Sequence, residues 1–122
     1  MSHLIWIALG GSLGAISRYL NSSIIKYLVP NLPLGTLFVN ILGSFFIGVL
    51  MDYLENKNVS ENFIKFFLII GFLGSYTTFS SFSYEAIDLF NNKKFLISLI
   101  FIFLSITGCL FFTFLGYNIN KI

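Results

Sequence analysis

At 122 residues, 57% hydrophobic and only 10% charged, the chain carries far too little charge for a soluble domain, where the charged share is about 25%. A mean hydropathy of +0.89 places it among integral membrane proteins. The formal net charge is +2, and no nucleic-acid partner is expected.

Crossing a hydrocarbon core of about 30 Å takes about 20 helical residues. The first stretch of that length covers 4–29 and contains Arg18. No Lys or Arg precedes it and the apolar character resumes after Arg18, so it reads as a retained helix and not as a cleaved leader. Pro30 and Pro33 break it. The second helix covers 33–53, with Pro33 suited to its first turn. Asn58 and Glu61 have the spacing of a capping pair for the third helix, 62–90. That helix is expected to be broken near 74–78, where Gly74, Ser75, Thr77 and Thr78 replace the apolar run. A short turn at 91–94 leads to the fourth helix, 94–118, whose apolar run from Phe95 to Tyr117 has no charge. The fold class is therefore an all-α membrane protein with four transmembrane helices in one integral domain, residues 1–122.

Charge gives almost no orientation. Lys57, Lys65 and Lys121 fall on one face, and Arg18, Lys26, Lys93 and Lys94 on the other. Insertion in both senses, and with it an antiparallel homodimer, is one reading. A weak signal in a small protein is the other. Four helices are too few to enclose a path and still show lipid an apolar exterior, which favours a two-fold oligomer. Gly10, Gly14, Gly71, Gly74 and Gly108 permit close helix approach.

Polar groups inside a span are functional candidates. Here they are mostly neutral hydrogen-bond donors: Thr36, Asn40, Ser44, Ser75, Thr77, Thr78, Ser80, Ser81, Ser98 and Ser105 among them, with Arg18 as the one cation. No carboxylate lies in mid-span; Glu85 comes closest, near the end of the third helix. Thr36, Asn40, Gly43 and Ile47 share one helix face. Asn40 serves either as interhelical glue or as a donor along a path. Phe79 and Phe82, three apart, either pack or turn their weakly positive ring edges to an anion. The break is either a satisfied glycine kink or a source of free carbonyls for a cation. Neutral donors without competing negative charge suit a small hydrated anion. Cys109 has no partner for an intrachain disulfide, and the lone His3 cannot build a metal site.

Three blocks then carry a family resemblance: GGSLGAISRY at 10–19, GTLFVNILGSFFIG at 35–48 and GFLGSYTTFSSFS at 71–83. In order, spacing and position they resemble the Fluc (CrcB) family of fluoride channels over nearly the whole chain. The resemblance implies an antiparallel, dual-topology homodimer in the cell inner membrane. It implies passive export of fluoride and so resistance to it. It implies a structural sodium ion at the dimer interface, held by the backbone carbonyls of Gly74 and Thr77. Fluoride would meet the ring edges of Phe79 and Phe82 and pass Asn40, Thr36, Thr78, Ser105, Arg18 and Glu85. Two positions depart from the family pattern: Cys109 stands for a second hydroxyl on the fourth helix, and Phe101 for a frequent tyrosine. The alternative is a small multidrug-type proton-coupled antiporter, which needs a carboxylate in its first helix; residues 4–29 hold none. No enzyme motif is present. A structural subunit without transport of its own is the remaining rival.

Overall fold

The computed structural model describes residues 2–57 and 61–121, and all of the regular structure among them is helical. Helix α1 (Ser2–Leu28) and α2 (Leu34–Lys57) flank the two prolines. Pro33 precedes the first residue of α2 instead of lying within its first turn, and its carbonyl accepts from the Leu37 N–H at 3.4 Å. Asn58, the expected cap, lies outside the described residues. At Asn62 no side chain caps the third helix.

The third helix begins as a wide, π-type segment, Phe63–Leu73, and continues as one α-helical turn, Gly74–Tyr76; together these are α3. Thr77 and Thr78 are extended, and α4 (Phe79–Asn91) follows. Thr78 caps α4, its hydroxyl oxygen accepting from the Ser81 N–H at 3.1 Å. That relieves one of the orphan donors at a helix start. Lys93, at φ 63°, turns the chain through the left-handed region into α5 (Phe95–Tyr117). A short 3₁₀ turn, Ile119–Lys121, ends the description.

Three helical segments are long and apolar enough to cross a membrane: Leu34–Asn56, Phe63–Asn91 and Phe95–Tyr117. At 27 residues α1 has the length, but it is not among the three. Its serines, Asn21, Arg18 and Lys26 dilute the apolar run.

Two helix pairs make the framework: α1 along α3, and α2 along α5. Both rest on missing side chains. A Cβ on Gly10 would meet the Phe67 carbonyl oxygen, and one on Gly14 the Phe72 carbonyl oxygen. Across the other pair, Gly48 faces the Thr113 carbonyl and Gly116 the Phe45 carbonyl. Lipid offers no hydrophobic drive between helices, so close backbone approach and dispersion supply the attraction. A small core of Phe82, Ala86, Leu89 and Phe101 joins α4 to α5. Ser98 ties the same pair, its hydroxyl donating to the Ala86 carbonyl at 2.8 Å.

The end of α2 holds a buried carboxylate. Asp52 accepts from Asn56 at 2.6 Å and from Asn120 at 3.4 Å, and Lys121 stands 3.8 Å away. Beside it the Tyr117 hydroxyl donates to Glu55. These contacts fasten the C-terminal turn to α2.

Gly14→Ala should lower stability by about 1–3 kcal/mol or more, because the obstacle is backbone and cannot move aside. Gly11→Ala, whose Cβ first meets the movable Ser75 hydroxyl at 3.2 Å, should cost clearly less. Thermal unfolding of the two variants in detergent compares them.

Candidate functional site

The site is organised by the two extended residues after α3. Thr77 (φ −88°, ψ 156°) and Thr78 (φ −151°, ψ 118°) leave the helical path, so their neighbours lose the regular i→i−4 ladder. One face of α2 receives them. The Asn40 side-chain oxygen accepts from the Thr78 N–H at 2.8 Å, and its amide nitrogen donates to the Thr78 carbonyl at 3.0 Å. The side chain thus pairs with Thr78 as a neighbouring strand would. One turn along, Gly43 leaves room for Thr77: a Cβ there would strike the Thr77 methyl group. One turn back, the Thr36 hydroxyl donates to Glu85 Oε1 at 2.6 Å, linking α2 to α4. From α1, Arg18 Nε donates to the Ser75 carbonyl at 3.1 Å. Thr77 folds its own hydroxyl onto the Leu73 carbonyl at 3.0 Å.

Two cavities meet at this point, and Thr78 lines both. The first, about 330 Å³, is bounded by Asn40, Gly43, Gly74, Thr77, Phe79 and Cys109, among others. The second, about 490 Å³, holds Arg18, Lys26, Thr36, Ser81, Glu85 and Asp88 on its wall. Two cations and two carboxylates share the second cavity, so its charge is nearly balanced. The first has no charged wall at all; it offers an amide, hydroxyls, a thiol and a phenyl ring.

The residues singled out in the sequence are not all brought together. Asn40, Gly74, Thr77, Thr78 and Phe79 share the first cavity; Arg18, Thr36, Thr78 and Glu85 share the second. Phe82 and Ser105 line neither. Phe79 is 76% exposed and Phe82 only 8%, though their ring centroids stand 5.3 Å apart. Phe82 leans in turn on Phe101, again at 5.3 Å. Ser105 is buried and its hydroxyl has no hydrogen-bond partner, and the same holds for Glu85 Oε2. Such atoms in an apolar surround are costly unless something polar reaches them. Cys109, taken from the sequence as a stand-in for a hydroxyl, lines the first cavity.

Sequence reasoning missed two features. Asp52 was not singled out, although its spacing to Asn56 is the i, i+4 of a helical side-chain pair. Ser98 was one donor in a long series, and nothing in the sequence separates its inward hydrogen bond from those of its neighbours. Among the described residues no group of three His, Cys, Asp or Glu side chains could hold a metal ion.

Fold and site together define a small polytopic helical membrane protein with its polar groups gathered around one departure from helical backbone. The chain belongs to the family described as CrcB-like protein, Camphor Resistance (CrcB), whose model matches residues 5–117. It is similar to a fluoride-specific ion channel FluC of Flavobacterium psychrophilum, 43% identical over 122 residues, 99% of this chain and 98% of that one. It is likewise similar to the protein of that name from Campylobacter jejuni, 41% identical and covering 99% of both chains. A third, from Hahella chejuensis, is 39% identical over 98% of this chain and 95% of its own.

Phe101→Ala should cost about 3–5 kcal/mol, the range for emptying a buried phenyl site, because Phe101 is 4% exposed and is packed against Phe82. Unfolding monitored by gel filtration across a detergent or temperature series measures it.

Proposed function

We propose that the chain is a fluoride-selective channel of the cell inner membrane, passing fluoride down its electrochemical gradient. The observation that carries this reading is the likeness, over nearly the whole of both chains, to proteins named fluoride-specific ion channel. Those relatives are named as channels, not enzymes, and the chain is read the same way. Export would protect a cell in acid surroundings: HF enters uncharged, ionises inside, and the anion leaves by the channel.

The site's chemistry agrees with an anion. A charge in mid-membrane needs its lost water replaced. The first cavity can replace it with uncharged donors and a ring edge, and no carboxylate on its wall opposes a negative ion. Arg18 and Lys26 add positive potential on the second cavity, offset by Glu85 and Asp88. In this reading Asn40, Thr36, Thr78, Phe79, Phe82, Ser105, Arg18 and Glu85 line or support the path. The unpartnered Ser105 hydroxyl supports a place for it there, since a passing anion would give it an acceptor. The antiporter alternative gains nothing, because α1 has neither Asp nor Glu.

The same reading takes α1 as a fourth span, the interruption at Thr77 and Thr78 as lying in mid-membrane, and the working unit as an antiparallel homodimer inserted in both senses. The near-even division of Lys and Arg supports dual insertion. A structural sodium ion at the two-fold interface completes it, held by the carbonyls of Gly74 and Thr77. Those carbonyls fit such an ion. The Thr78 N–H, which would close the ladder on Gly74, donates to Asn40 instead. The Ser81 N–H, which would reach back to Thr77, donates to the Thr78 hydroxyl oxygen. Two carbonyls from one chain leave a hard cation short of oxygen ligands, and a second copy would bring the number to four. When bound, the ion would supply fixed positive charge near the path.

Liposomes loaded with potassium fluoride or chloride, with valinomycin and a fluoride electrode, test the proposal. Purified protein should release fluoride rapidly and retain chloride, and Phe82→Ile or Asn40→Asp should reduce release to the rate of empty liposomes. Cys109→Ser should change the fluoride rate less than tenfold and leave chloride excluded. A folded protein that releases no fluoride contradicts the channel.

A further inference from the structure

In an α-helix each carbonyl accepts from the N–H four residues on. Around Thr77 the ladder ends at one identifiable rung, the Thr77 N–H on the Leu73 carbonyl at 3.1 Å. Beyond it, side chains take over the partners one at a time. Asn40 Oδ1 accepts the Thr78 N–H, so the Gly74 carbonyl loses its helical donor. Thr78 Oγ1 accepts the Ser81 N–H, the donor four residues on from Thr77, and so keeps it from turning back to the Thr77 carbonyl. The Ser75 carbonyl lies between them and is treated differently: Arg18 Nε donates to it.

We infer that Asn40, the Thr78 hydroxyl and Arg18 are positioning residues that select which backbone carbonyls are offered to a cation at the interruption. Asn40 releases Gly74, the Thr78 hydroxyl releases Thr77, and Arg18 withdraws Ser75. The inference rests on the sodium reading above and deepens it. None of the three side chains has to touch the ion. Arg18 acts in two ways, since it occupies the Ser75 carbonyl and sets a positive charge beside it. Asn40 has two separable jobs. Its oxygen diverts the Thr78 N–H, and its amide N–H groups can serve an anion path. Asn40→Asp keeps an oxygen for the Thr78 N–H and loses the amide donors. Asn40→Leu loses both.

Equilibrium binding of radioactive sodium to the purified full-length protein, read by scintillation proximity, separates these roles without reference to conduction. Wild type should bind saturably. Asn40→Leu should weaken binding at least tenfold, while Asn40→Asp should not weaken it even where fluoride release is lost. Thr78→Val should weaken binding at least fivefold, and Thr78→Ser, which keeps the hydroxyl, should match wild type within twofold. Arg18→Met, which has neither a donor nor a charge, should bind sodium at least threefold more tightly, through the added carbonyl and the lost repulsion. If Asn40→Leu does not fold, the Thr78 pair and Arg18→Met decide the matter. Absence of sodium binding in folded wild type overturns the sodium reading, and the selection with it. Binding in wild type with unchanged affinity in every folded variant leaves the sodium reading standing and overturns the selection alone. Destabilisation without a change in affinity, as a purely structural role requires, overturns it too.

Discussion

A backbone that leaves its helix must find new partners for its polar groups, and the pairing of Asn40 with Thr78 answers that constraint here. One side-chain amide meets both the N–H and the carbonyl of an extended residue, at 2.8 and 3.0 Å. Irregular backbone at membrane depth survives only where protein or a polar cavity serves it. Other features of the molecule follow from that contact. Gly43 is small because Thr77 presses on α2 there. Thr36 is one turn away on the same face and ties α2 to Glu85. The glycines of α1 and α5 draw the neighbouring helices close enough for such short side chains to reach.

The same contact divides the polar interior. Thr78 stands on the wall of both cavities, so the space with charged walls and the space without them meet at the residue that Asn40 holds. On the proposed reading, an anion would leave balanced charge, meet neutral donors and ring edges, and never face an isolated carboxylate. Glu85, the nearest acid, is restrained by the Thr36 hydroxyl. Phe82 contributes from behind: it is core, packed between the exposed ring of Phe79 and the buried ring of Phe101.

Much of this was legible in the chain. The two prolines bound α1 and α2, because a ring in place of an N–H is excluded from a helix interior and tolerated only at its start. Gly74 with its hydroxyl neighbours marked the stretch where helix gives way, since apolar helices do not need four such residues within five positions. The shared face of Thr36, Asn40 and Gly43 followed from helical spacing alone. What was not legible depends on long-range contact. Spacing cannot tell that Asn40 turns to Thr78 and not to a carbonyl elsewhere, or that Arg18 reaches Ser75 across 57 residues of chain. Two phenylalanines three apart gave no sign that one is exposed and the other buried. The length of α1 was legible, but its serines and charges leave it less apolar than the three segments that pass as spans on composition. The wide π-type register of Phe63–Leu73 left no mark in the sequence, which there is simply apolar.

The direct test of the central contact is solid-state NMR on the protein in liposomes, with nitrogen label at Thr78 and carbon label in the Asn40 side chain. The account predicts strong dipolar coupling between the Thr78 backbone nitrogen and Asn40 Cγ, as an oxygen 2.8 Å from that nitrogen requires. It also predicts no hydrogen bond from the Thr78 N–H to Gly74. Absence of that coupling, with the Thr78 N–H bonded to the Gly74 carbonyl, would mean that the helix continues through this point and would contradict the account.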